Sequence, residues 1–215
     1  MSKITTILFD FDGTIMNTNE VVIKSWQHTF RTVEGKERPV ESIVSTFGEP
    51  LVKTMARLLP QISVEEGVRI YRSFLLEHYD EMIHPFPGMV DLICKLKERG
   101  YKTGLVTSRV GDTAVQGLEQ FGLLHHMDCL VTCEDTDKHK PDPEPIRIAL
   151  RKLGSEPAEA IMLGDTMYDI LCARNAGVRS VLVGWQMALS EEEIKGPNGP
   201  DYIIKKPDDL FDILT

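Results

Sequence analysis

Six short apolar runs, rich in β-branched residues, alternate along much of this 215-residue chain with helical patterns that stop at glycine. The runs are residues 4–9, 103–107, 129–132, 160–163, 180–183 and 202–204. The helical patterns cover 89–99, 112–121, 144–153 and 168–176, and are followed by Gly100, Gly122, Gly154 and Gly177. Glycine just past a helix supplies the left-handed residue that closes its last carbonyls. Strand–helix alternation implies a parallel sheet, because parallel neighbours need long crossovers, and the crossover helices then cover both faces. Strands buried on both faces read as unbroken apolar runs, and these do.

One region breaks the alternation. Between residues 17 and 83 the pattern offers only helices, at 20–33, 40–46, 51–58 and 63–82. Leu58, Ile62, Val64, Val68, Tyr71, Leu75 and Leu76 supply the apolar positions of a small bundle. The return through Pro85-Phe86-Pro87-Gly88 is rich in turn formers and reads as a hinge. The expected architecture is therefore α/β: a Rossmann-like doubly wound parallel sheet core, residues 1–16 and 84–215, with an inserted α-helical cap domain, residues 17–83.

Composition narrows the function class. Hydrophobic residues at 42% and charged residues at 27% are ordinary for a globular protein, and no apolar run approaches the length of a membrane span. Met1-Ser2-Lys3 leads straight into an apolar run, so no leader peptide and a cytoplasmic location are expected. A net charge of -9 argues against a nucleic-acid partner, whose phosphates the overall field repels. Cys94, Cys129, Cys133 and Cys172 form no Cys-x-x-Cys pair and no zinc spacing with histidine, and read as free thiols. His125 and His126 read as loop residues and His139 as a solvated one.

The run at 4–9 ends abruptly in Asp10-Phe11-Asp12-Gly13-Thr14. In open parallel sheets ligands bind beyond the carboxyl ends of the strands. The other strand ends carry matching chemistry: Thr107-Ser108-Arg109, then Lys138-His139-Lys140-Pro141, then Gly164-Asp165-Thr166-Met167-Tyr168-Asp169. Each patch alone has a plain explanation, since Ser, Thr and Asp cap helices and Lys solvates surfaces. Together they place two carboxylate pairs, hydroxyls and a lysine at one edge of one sheet.

These four patches, in this order, resemble the motifs of the haloacid dehalogenase (HAD) superfamily. Asp10 to Thr14 is similar to its first motif, Thr107 to its second, Lys140 before Pro141 to its third, and Gly164-Asp165 through Asp169 to its fourth. The resemblance covers essentially the whole chain, and the position of the helical insert resembles the cap of the superfamily's first subclass. It implies an Mg²⁺-dependent phosphohydrolase in which Asp10 is the nucleophile and forms an aspartyl-phosphate. Mg²⁺ is then held by Asp10, the Asp12 main-chain carbonyl and Asp165, with Asp169 supporting the metal's outer shell. Asp12 serves as general acid and then general base, and its presence favours oxygen–phosphorus chemistry over dehalogenation. Thr107, the Ser108 N–H and Lys140 clamp the phosphoryl oxygens. Lys138 is a rival for the lysine role, and Arg109 reads either as a substrate-binding residue or, more safely, as an exposed residue at a helix start.

Within the superfamily the chain looks most like phosphoglycolate phosphatases and bacterial pyrophosphatases. The second likeness rests on Asn17-Thr18-Asn19-Glu20, Gly48-Glu49-Pro50-Leu51 and Lys140-Pro141-Asp142-Pro143-Glu144-Pro145. It implies a small phosphorylated substrate, inorganic pyrophosphate or 2-phosphoglycolate, met in the cap by the loop at Gly48, with Lys53 a candidate cap cation. The expected assembly is a monomer or homodimer, with no membrane partner. A β-phosphoglucomutase-like phosphomutase is the main alternative, but those enzymes carry a histidine four residues beyond a threonine, where this chain has Val22 after Thr18. A catalytically silent binding module is the other; it would be expected to have lost Asp10, Asp12 or Lys140, and all three are present.

Overall fold

A computed structural model describes residues 3–214; Met1 and Ser2, on which the expectation of no leader peptide partly rests, lie outside them. The chain divides into two compact units, one running to Met16 and resuming at Pro85, the other Asn17–His84. The return to the first unit falls one residue later than the sequence pattern suggests.

The strands are β1 (Thr6–Phe9), β2 (Met16–Asn17), β3 (His84–Pro85), β4 (Lys102–Val106), β5 (Cys129–Val131), β6 (Ala160–Gly164), β7 (Arg179–Val183) and β8 (Tyr202–Ile204). Six of them form one sheet in the order β5-β4-β1-β6-β7-β8, and its pairings are parallel. β2 and β3 pair separately as a short ribbon where the chain passes between the units. The first unit also holds helices, which after α1 (Asn19–Glu34), α2 (Val40–Val44), α3 (Leu51–Leu58) and α4 (Val64–Met82) of the second unit continue as α5 (Met89–Glu98), α6 (Gly111–Gln120), α7 (Glu144–Leu153), α8 (Met167–Ala176), α9 (Glu191–Lys195) and α10 (Leu210–Ile213).

Side chains alternate across a strand, so one strand serves two cores. Leu8, Val106, Val131 and Met162 pack with Ile146, Ala149 and Leu150 of α7 and with Cys172 and Ala173 of α8. Their neighbours of opposite parity, Ile7, Phe9, Leu105, Ile161 and Leu163, are just as fully buried. Each such side chain is worth about 1.5–3 kcal/mol of burial, which explains why the central strand carries no charge until it ends.

The sheet extends one residue earlier than the apolar runs at Lys102 and Arg179, because ladder bonds use main chain and are indifferent to side-chain polarity. In the helical unit, Trp26 stacks on Phe30 at 5.4 Å and meets Tyr71 edge-on at 5.2 Å. Leu75 is buried one turn beyond Tyr71, whereas Leu76 is 54% exposed, a correction to its expected bundle position. One residue is 100° of helix, enough to turn a leucine from core to solvent. His125 and His126 form a short 3₁₀ turn instead of an irregular loop. Among the described residues, no helix is long and apolar enough to cross a membrane.

Candidate active site

Register brings the motif residues together within the first unit. Phe9 pairs with Leu105 on one side and Leu163 on the other. Asp10, the next residue, therefore lies at the carboxyl edge between Thr107 and Asp165, each two positions past those partners. The Asp10 N–H extends the ladder to the Leu163 carbonyl at 2.9 Å. β1 is also where the strand order turns, with β4 and β5 on one side and β6 to β8 on the other, the place where such sheets open a crevice.

Asp10, Asp165 and Asp169 are all buried, and one carboxylate oxygen from each lies within 4.8 Å of the others. Glycine permits this crowding. Gly13 has φ of 73°, and a side chain there would collide with the Asp165 carboxylate; one at Gly164 would collide with Asp169. Burial pushes the Asp10 carboxyl up to about 7 against the pull of Lys140, with Asp169 and Asp12 adding to the rise. Burial, and then repulsion from Asp169 and Asp10, hold Asp165 well above the usual carboxylate range.

Lys140 is the counter-charge. Its ammonium, 6% exposed as a residue, donates to Asp10 Oδ1 at 2.7 Å and to Asp169 Oδ1 at 2.5 Å. Burial opposes its charge, but the two carboxylates outweigh that and hold it well above the ordinary lysine range. Lys138 is exposed, so the two candidate lysines have opposite environments. Asp169 does two things at once: its second oxygen accepts from the Thr166 N–H at 3.1 Å and the Thr166 hydroxyl at 2.7 Å. It is thus the first-turn acid of α8 and the residue that holds Lys140 from behind.

Asp12 stands apart from this cluster. Its carboxylate receives a bidentate pair from Arg109, Nε to Oδ2 at 3.0 Å and Nη2 to Oδ1 at 2.6 Å. The Arg109 side chain is only 8% exposed, which corrects its expected place on the surface. The guanidinium also lies 5.3 Å from the Phe11 ring centre. Sequence reasoning had no local signal for this pair, whose members are 97 positions apart. Thr107 is buried, and its Oγ1 accepts from the Arg109 N–H at 3.1 Å, so its own hydrogen points elsewhere. Ser108 is half-buried in the same turn.

Gly48 belongs to the other unit, between α2 and α3, with φ of 82°. Beside it Glu49 accepts from Thr54 Oγ1 at 2.8 Å and Arg57 Nη2 at 2.5 Å, while Lys53 is exposed. The cysteines take no part in the cluster and all are free thiols; burial pushes Cys129 up to about 11 and Cys172 up to about 12.

Comparison with known proteins agrees with this arrangement. Residues 7–183 match the family model described as haloacid dehalogenase-like hydrolase. A curated relative, pyrophosphatase PpaX of Halalkalibacterium halodurans, is 38% identical over 99% of this chain and 97% of its own length. Two solved structures overlay all of this chain and all of their own, each at 26% identity. They are the haloacid dehalogenase-like family protein SP0104 of Streptococcus pneumoniae, with a TM-score of 0.87, and a Lactobacillus plantarum protein described provisionally as a phosphoglycolate phosphatase, with a TM-score of 0.85. With its parallel sheet, its four strand-end motifs and these relatives, the chain belongs to the haloacid dehalogenase-like hydrolase family, as a hydrolase of the phosphatase type.

Proposed function

We propose that this chain is an Mg²⁺-dependent phosphohydrolase that works through an aspartyl-phosphate on Asp10, with inorganic pyrophosphate preferred over 2-phosphoglycolate. The observation that carries the reading is the Lys140 ammonium lodged between Asp10 and Asp169, with the buried Asp165 alongside. Three buried acids stand against one lysine, and burial first, with repulsion between the acids adding to it, raises the Asp10 and Asp165 carboxyls. The donors are all oxygen, which suits Mg²⁺ and not zinc. Asp10, Asp165 and the Asp12 main-chain carbonyl would hold the ion; both Asp169 oxygens are already committed to Lys140 and Thr166. When bound, the ion offsets the repulsion between the attacking carboxylate and the phosphoryl oxygens.

An Asp10 oxygen then attacks phosphorus in line while the bond to the leaving oxygen breaks. Lys140 and the Thr107 hydroxyl, with the Ser108 N–H, hold the equatorial oxygens where charge spreads. Asp12 gives a proton to the leaving oxygen, then takes one from the water that cleaves the aspartyl-phosphate. The helical unit would enclose the substrate as a lid, its Gly48 loop contributing to selection. The relative named a pyrophosphatase favours pyrophosphate over the ester, as does the linker likeness at residues 17–20. The deciding measurement is kcat/KM for both compounds at equal free Mg²⁺, together with acid-quench trapping of a phosphorylated Asp10 peptide. A clear preference for phosphoglycolate overturns the substrate; failure to trap phosphate on Asp10 under rapid turnover overturns the mechanism.

A further inference from the structure

Arg109 is seated more firmly than a surface arginine needs to be. Its N–H donates to Thr107 Oγ1 at 3.1 Å, and its carbonyl accepts from the Cys133 N–H at 3.1 Å. Main chain is thereby fixed at both ends of the residue, on the turn that leaves β4. From there the side chain crosses to the turn after β1 and grips both oxygens of Asp12. A two-point grip sets the plane of a carboxylate as well as its position, which one ammonium contact does not. Asp12 is 36% exposed at its side chain, so the two-point grip narrows the orientations open to its carboxylate.

We propose that Arg109 is the positioning residue for Asp12, fixing the orientation from which that carboxyl exchanges its proton with the leaving oxygen and then with water. The proposal rests on the acid–base reading of Asp12 given above. Proton transfer requires hydrogen-bond reach and alignment, so a misaligned Asp12 fails in proportion to how much the reaction needs it. An alkoxide leaving group needs the proton as the bond to phosphorus breaks. A 4-nitrophenolate leaves as the anion and needs it little. Arg109 should therefore matter for phosphoryl transfer from one and barely from the other, while a residue that only stabilises the fold, or only binds phosphate, affects that step alike for both.

The test compares wild type, Arg109→Gln, Arg109→Lys, Asp12→Asn and the Arg109→Gln/Asp12→Asn double variant at saturating Mg²⁺. The substrates are 2-phosphoglycolate and 4-nitrophenyl phosphate. In Arg109→Gln, kcat/KM, which reports the steps up to formation of the aspartyl-phosphate, should fall on the order of 10- to 100-fold for the alkyl phosphate and under about threefold for the aryl phosphate, within the range general acid catalysis commands. Where hydrolysis of the shared aspartyl-phosphate limits turnover, kcat and KM for the aryl phosphate should fall together and leave their ratio unchanged. Arg109→Lys, which keeps the charge without the fork, should recover only part of the loss. Adding Arg109→Gln to Asp12→Asn should cost nothing further, since a residue acting through another has no effect once that other is gone. Equal losses of kcat/KM on both substrates, or a double variant clearly worse than Asp12→Asn, overturns the role of Arg109. If Asp12→Asn itself shows no dependence on leaving group, the acid–base reading of Asp12 fails instead, and the two failures are told apart by that variant.

Discussion

Lys140 and Arg109 each grip an aspartate of the same short turn, yet the two pairs live in different surroundings. The Lys140 ammonium and both its carboxylates are buried, with side chains 2–9% exposed. Arg109 is nearly as enclosed, but its partner Asp12 reaches solvent at 36%. Coulomb attraction is strong and water cannot substitute for a lost partner in the first case; in the second, water can solvate the carboxylate that remains. The first pair is thus part of what holds the site's charge in balance, and the second is better suited to aiming a group that must move protons.

The sharpest way to break this contrast is to remove charge from the buried side. Asp10→Asn should lower turnover roughly 10³-fold or more, as loss of a nucleophile does, while circular dichroism shows the fold retained. Near-normal turnover would remove Asp10 from the chemistry. Lys140→Met should cost about 3–5 kcal/mol in urea unfolding with chelator present, because buried acids lose their counter-charge. Arg109→Gln should cost about 1 kcal/mol or less in the same assay, as partly solvated pairs do. Equal costs would mean that exposure of Asp12 does not separate the two pairs.

Metal and pH sharpen the contrast further. Chelation should abolish activity and Mg²⁺ restore it, with zinc a poor substitute. Burial pushes the Asp10 carboxyl up to about 7 in the folded chain, from the ordinary 3.8. Between these values the folded state binds more protons than the unfolded one, so this group's contribution makes stability fall as pH rises from about 4 to 7. Bound Mg²⁺ competes with those protons. The rise in Tm on adding Mg²⁺ should therefore be greater at pH 7.5 than at pH 5.5, and no pH dependence of that rise would argue against Asp10 as a ligand.

Gly13 tests the site without changing its charge. Gly13→Ala adds a methyl where the Asp165 carboxylate sits, at positive φ, and should cost about 1–3 kcal/mol together with weaker Mg²⁺ dependence of Tm. The same reasoning changes what can be asked of Gly48: with φ of 82° a bulky residue there strains the chain whatever it does to selectivity. Exposed Lys53 in the adjoining α3 is the cleaner site for testing whether the helical unit selects substrate.

The sheet was legible because its strands are apolar without interruption, and the helix ends because glycine marks them; Gly100, Gly122, Gly154 and Gly177 all adopt φ between 55° and 80°. Strand order was not legible, since ladder register leaves no mark on composition. The motif acids could be named from the ends of the runs, but the division of labour among them could not. Asp169 looked like either a helix acid or a metal support, and it is the acid of α8 while also holding Lys140. Arg109 was misplaced because its surroundings depend on a residue 97 positions away, which no local pattern encodes.

The ribbon of β2 and β3 has a consequence for how such a chain can change over time. The departing and returning strands of the helical unit are hydrogen-bonded neighbours, so its two ends are close in space. To the sheet, the whole excursion is a closed loop whose length matters only weakly, because closure entropy grows with the logarithm of loop size. The β2–β3 ribbon pairs apart from the six-stranded sheet, so what hangs from it takes no part in that sheet's ladder. A lineage can therefore exchange one insert for another, larger, smaller or differently charged, and keep the strand edge on which Asp10, Lys140 and Asp165 depend.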